Sequence, residues 1–163
     1  MVNCIRKLLL IIPVFLFGAC SRDLPGDANG LRALANGIEA EREEFEKAYN
    51  NWGSGDVASS FTVFLDGGDV VLIDEHMTRG ESGRSVNRFY FSDDVLFCYR
   101  EKRTNQDSTV LEIALLFNKN GEVVEAKQLA DGTPSTVADY VALLAKKHAK
   151  TLHDLAGEAT RER

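Results

Sequence analysis

The sequence predicts an α+β domain: an N-terminal helix, an antiparallel meander of about six strands, and a C-terminal helix. Three observations carry this. Apolar residues recur at three- and four-residue steps from Leu31 and again from Val137, the period of an amphipathic helix. Between these stretches lie short segments rich in β-branched and aromatic residues that alternate apolar with polar. The links between those segments are short and turn-forming, which makes sequential neighbours antiparallel.

The chain begins with a segment that is excluded from the fold. Arg6 and Lys7 precede an apolar run at 8–17, and small residues follow it. A basic start, an apolar centre and a small-residue end is the layout of a secretory signal peptide. The 13 residues from Leu8 to Cys20 reach about 20 Å as a helix, against a bilayer core of about 30 Å. Pro13 weakens such a helix further.

The end of this run, Phe17, Gly18, Ala19 and Cys20, resembles the lipobox of bacterial lipoproteins, with Phe17 where the family more usually has Leu. The resemblance covers residues 1–21. It implies removal of residues 1–19, attachment of lipid to the Cys20 thiol, and acylation of the new amino terminus. One acyl chain holds a membrane marginally, whereas two or more hold it stably. Ser21 follows the cysteine where an Asp would resemble an inner-membrane retention signal, which implies the outer membrane, with the domain facing the periplasm. Residues 20–30 then read as the lipidated cysteine and a flexible tether, spanning about 16–19 Å root-mean-square.

A single domain is expected over 31–158, with a fraying tail at 159–163. Leu31, Leu34, Ile38, Phe45, Ala48, Tyr49 and Trp52 follow helical steps, so the first helix is expected to run to the "NNWGSGD" stretch. Glu39, Glu41, Glu43, Glu44 and Glu46 give it an acidic solvated face. Strands are expected at 59–65, 70–76, 86–91, 95–101, 109–117 and 122–129, with "DGGD", "SDD" and "NKNG" among the turns. Ser135 or Thr136 caps the second helix, whose predicted stripe is Val137, Tyr140, Val141, Leu144, His148, Leu152 and Leu155.

Charge and cysteine usage narrow the function. Loss of residues 1–19 removes two cations and no acid, taking the formal charge from −6 to −8. That balance argues against nucleic acid as a partner. Cys4 leaves with the signal and Cys20 carries lipid, so Cys98 is the remaining thiol, expected to be a buried small hydrophobe.

Few constellations carry chemistry. Strand alternation puts Asp74 and His76 on one face, an acid–base pair without a recognisable nucleophile. His148 and His153 lie about 140° apart around a helix, which does not suit joint metal ligation. "GESG" at 80–83 lacks the length and Lys of a phosphate loop. No cofactor is predicted. If "SDD" closes a two-residue turn, Phe89, Phe91, Leu96 and Cys98 share the core face. Tyr90, Phe97, Tyr99 and Arg88 then share the other, a composition favoured at interaction surfaces. A meander also gathers Asp66, Asp69, Asp93, Asp94 and Glu122 at one end of the sheet. Arg79, Arg84, Lys102 and Arg103 gather at the other.

The expectation is a non-catalytic envelope lipoprotein that binds another envelope protein as an accessory or inhibitor-like subunit. A small-ligand binder with an apolar pocket between sheet and helix is the alternative, and a small hydrolase using Asp74 and His76 the third reading. Oligomeric state is not specified by the sequence. Replacing Cys20 with Ser is expected to move the protein from the membrane to the soluble fraction on cell fractionation. Retention on the membrane would refute the anchor.

Overall fold

The structure is a computed structural model that describes residues 24–161, with side chains described for 24–157. Cys20, the signal segment and the start of the tether lie outside the described residues. Helix α1 (Ala28–Glu41) is followed by β1 (Glu46–Ser54), β2 (Val57–Asp66), β3 (Asp69–Arg79), β4 (Arg84–Ser92), β5 (Val95–Thr104), β6 (Val110–Phe117), β7 (Val123–Ala130), β8 (Thr133–Ser135) and α2 (Asp139–Arg161). The strands form one antiparallel sheet in sequence order, β1 to β8. Strands β2 to β7 correspond to the six expected, and β1 and β8 extend the meander at its two ends.

Helix α1 starts inside the stretch that reads as tether. The Asp27 carboxylate accepts from the backbone N–H groups of Asn29 (2.9 Å) and Gly30 (3.1 Å), satisfying donors that a first turn leaves unpaired. The helix ends at Glu41 rather than near Trp52. The segment 46–54 pairs with β2 along its length, from Glu46 opposite Leu65 to Ser54 opposite Val57. Its apolar residues fit both periods: Ala48 and Trp52 lie four apart, and an even spacing also puts them on one face of a strand. Two asparagines and a glycine weaken the helical choice, and Gly55, at φ +61°, closes the hairpin.

One helix packs on each face of the sheet. Under α1, Leu31, Ala35 and Ile38 meet Phe64, Leu72, Tyr90, Phe97, Cys98 and Leu116. Under α2, Ala145, Ala149, Leu152 and Ala156 meet Phe61, Ile73, Phe89, Phe91, Leu115 and Phe117. The stripe of α2 is therefore rotated from the expected one: small alanines take the centre and let the helix approach closely. Tyr140 and Leu144 are left 65% and 56% exposed. Ser135 belongs to β8, and the helix begins only at Asp139.

The register of β4 and β5 departs from the simple two-residue turn. Asp93 and Asp94 both adopt positive φ and Phe91 sits opposite Leu96, but a bulge between Tyr90 and Phe91 sets Tyr90 opposite Cys98 and Phe89 opposite Tyr99. Phe97 and Cys98 then both join the α1 cluster, while Tyr99 turns under α2. The expected exposed aromatic face thus does not form: Tyr90, Phe97 and Tyr99 are buried, on two different faces. The 3₁₀ turn Gly80–Ser82 is ordered by Arg79 N–H donating to the Gly83 carbonyl at 3.0 Å. Gly83 sits at φ +106°, where a Cβ would come within 2.2 Å of the Thr104 carbonyl oxygen.

Truncating Phe97 to Ala is expected to cost about 3–5 kcal/mol of unfolding free energy, read by chemical denaturation. An unchanged midpoint would mean that Phe97 is not part of the core.

Candidate functional site

The α2 face of the sheet carries a row of polar side chains where its neighbours carry core. Glu75 on β3 pairs with Asn87 on β4, which pairs with Glu101 on β5, so the three side chains project to one side in adjacent strands. Glu75 has 0% exposure. Its Oε1 accepts from the Ser59 hydroxyl (2.6 Å) and the Trp52 indole N–H (3.1 Å). Its Oε2 accepts from Asn87 Nδ2 (2.8 Å) and lies 2.8 Å from His148 Nε2 of α2. Burial pushes this carboxyl up, but the hydrogen bond and charge of His148, with the bonds from Ser59 and Asn87, outweigh burial and hold it below the ordinary value of 4.5.

The row continues toward β5. The Tyr99 hydroxyl donates to Glu101 Oε2 at 2.9 Å, and Arg103 places its Nε and Nη2 at 2.8 and 2.6 Å from Glu101 Oε1. Burial and the Glu101 charge raise the Tyr99 phenol well above its usual range. Tyr99 also lies 3.5 Å from Asn87 Oδ1, joining the Glu75 and Glu101 halves. His148 sits edge-on to Trp52 and Phe89, with ring centroids 5.7 and 5.6 Å away. Its position and the carboxylate bond lock α2 to the sheet. Ser59 and His148 reach opposite oxygens of one carboxylate, so the imidazole does not stand between a nucleophile and an acid as a hydrolytic relay requires.

Above this row, a cleft of about 820 Å³ opens between the flank of α2 and strands β1 to β7. Leu111 and Ile113 line it from the sheet, and Tyr140, Val141 and Leu144 from the helix. Trp52, Glu101 and His148 reach it from the polar row, and Arg79, Arg103 and Lys147 bring charge. A pocket of this size, apolar with a few placed polar groups, matches the usual form of a small-molecule site.

Asp74 and His76 do share one sheet face, as expected, but Asp74 is committed to other partners. Asp74 faces α1, where its Oδ2 lies 2.9 Å from Arg42 Nη2 and 3.6 Å from Arg88 Nε. Glu39 joins the same cluster, 3.5 Å from Arg42, 3.4 Å from Arg88, and bonded to the Tyr90 hydroxyl. His76 is exposed and its Nε2 stays 3.9 Å from Asp74. Asp74 thus holds α1 to the sheet. Arg88, the remaining member of the predicted interaction face, is partly buried in this ion cluster.

Cys98 is buried, and that burial pushes its thiol up to about 11, so it behaves as a small hydrophobe. His153 packs on Phe91 at 5.1 Å, with Asp94 3.2 Å from its Nε2. Among the described residues no cluster of His, Cys, Asp and Glu suits a metal ion, and no helix is long and apolar enough to cross a membrane. The end of the sheet expected to be basic also holds the β1–β2 and β7–β8 turns, which add Asp56 and Asp131. Two of its cations, Arg79 and Arg103, turn into the cleft. The chain matches no protein-family model, no curated protein and no solved structure.

Sequence reading missed Glu75, Asn87 and Glu101, the centre of this site. A signal was present: each is a polar residue two positions from a core aromatic or aliphatic, Ile73, Phe89 and Tyr99, on the inward face of adjacent strands. Replacing Glu75 with Gln is expected to lower stability at pH 7 by about 1–3 kcal/mol. Because folding lowers this pKa, the native protein loses that contribution as pH falls below 4.5, and the gap between wild type and variant closes. Denaturation curves at a series of pH values read this; a gap that stays constant down to pH 3 would refute it.

Proposed function

We propose that this chain is a bacterial outer-membrane lipoprotein, anchored through Cys20, whose periplasmic domain is a non-catalytic binding module. The ligand site is the cleft between α2 and the sheet. The observation that supports this reading is the partial lift of α2: its Ala145, Ala149 and Leu152 side is closed on the core, while its Tyr140 and Leu144 side stands open over a polar row. A tether and an open cleft suit a protein that meets its ligand beside the membrane. The lack of a relay at Ser59, Glu75 and His148, and the use of Asp74 to hold α1, favour binding over turnover.

An envelope-protein partner is the second reading, favoured by the exposure of Leu143 beside Tyr140 and Leu144 on α2. Native mass spectrometry of the mature lipidated protein, isolated from its own envelope, separates the two. The expected result is a stoichiometric small molecule on the wild type that is lost in a Leu144→Arg variant. A stoichiometric protein partner without any small molecule would overturn the ligand reading in favour of the second.

A further inference from the structure

The cleft lining runs against the charge of the chain. The protein carries a formal charge of −6, yet Arg79, Arg103 and Lys147 face the cleft against one carboxylate, Glu101. Glu101 is already held by Arg103 and Tyr99. Arg79 directs its Nε at the Met77 sulfur, 3.1 Å away, a weak acceptor that leaves its other donors uncommitted. Among the described residues, Arg79 and Lys147 form no salt bridge with a carboxylate. The three cations come from three elements, β3, β5 and α2.

The apolar part of the same cleft lies beside them. Leu111 on β6 and Val141 and Leu144 on α2 offer hydrocarbon surface, with Tyr140 65% exposed at the helix start. A neutral apolar ligand would leave Arg79 and Lys147 without counter-charge, since only Arg103 is paired, with Glu101, and a small inorganic anion would leave the apolar wall in water. Charge and hydrocarbon together suit a molecule that carries both.

We infer that the cleft takes a free single-chain amphipathic anion, its acid group among Arg79, Arg103 and Lys147 and its hydrocarbon along Leu111, Val141 and Leu144. This rests on the cleft being the ligand site, and it specifies the ligand's chemistry. A carboxylate adds ion pairing and bidentate bonds with the guanidinium groups that an alcohol cannot make, in a partly enclosed site where charges are screened less than in bulk water. The polar row beneath is already satisfied internally, so it supports the floor without competing for the acid.

Trp52 is the chain's sole tryptophan and lines this cleft, so its emission reports occupancy directly. The mature lipidated protein in phosphatidylcholine vesicles is titrated at about pH 8, where a carboxylic acid is ionised, with dodecanoate, dodecanol and dodecyltrimethylammonium. Dodecanoate is expected to shift Trp52 emission saturably, with the alcohol about tenfold weaker or more and the cation weaker still. In the double variant Arg79→Gln, Lys147→Gln, dodecanoate is expected to weaken by about tenfold while dodecanol stays within about twofold, which separates a lost charge from a damaged fold. Equal binding of acid and alcohol, unaffected by the double variant, would overturn the anion assignment and leave the cleft as a ligand site. A response that appears only with phosphatidylglycerol in the vesicles would overturn the free ligand in favour of a bilayer lipid. Absence of a saturable response to any of the three probes would overturn the cleft reading as well.

Discussion

A carboxylate without exposed surface sits beneath α2, and the arrangement of that face follows from the need to satisfy it. Removing a charge from water costs several kcal/mol unless partners replace the lost hydration. Glu75 has four such partners, contributed by β1, β2, β4 and α2. Because they come from four elements, the carboxylate sets the position of α2 over the sheet and draws the edge strand β1 into register. The pair with His148 also stops the helix from closing further, since the imidazole and the row beneath it occupy space that alanines elsewhere on α2 leave to the core. The cleft is the consequence of a helix held down along one side and propped along the other.

The opposite face solves the same problem with a partly buried ion cluster around the buried Asp74. Glu39 and Arg42 near the end of α1 meet Asp74, Arg88 and Tyr90 on the sheet, while Leu31, Ala35 and Ile38 bury the helix. Asp74 is buried there, while Glu39, Arg42 and Arg88 keep part of their surface in water, so the cluster orients α1. Each helix thus leaves part of its sheet face uncovered, about 710 Å³ lined by Arg88, Arg100 and Lys102 beside α1 and about 820 Å³ beside α2.

Much of the architecture was legible residue by residue. The six central strands follow from alternation and from turns such as Gly67–Gly68, Asp93–Asp94 and Asn120–Gly121, each of which needs left-handed backbone at one or both positions. The edge strand β1 was not legible, because Ala48 and Trp52 satisfy a period of two as well as a period near four. Only the available pairing partner, β2, decides between them. The aromatics Tyr90, Phe97 and Tyr99 misled for a related reason. One bulge shifts every later side chain by a face, and a bulge has no reliable local signature.

By itself the sequence determined the order of helix, meander and helix, the lipobox resemblance at Cys20, and the acidic balance of the domain. These rest on local periodicity, turn chemistry and composition, which need no knowledge of distant neighbours. Only the tertiary structure decided that Glu75, Asn87 and Glu101 form one buried row, that His148 joins it, and that Arg79, Arg103 and Lys147 share a cleft. Those residues are separated by up to 73 positions between Glu75 and His148. Their meeting depends on sheet register and on how far a helix settles onto it, both of which are set by long-range packing rather than by any local pattern.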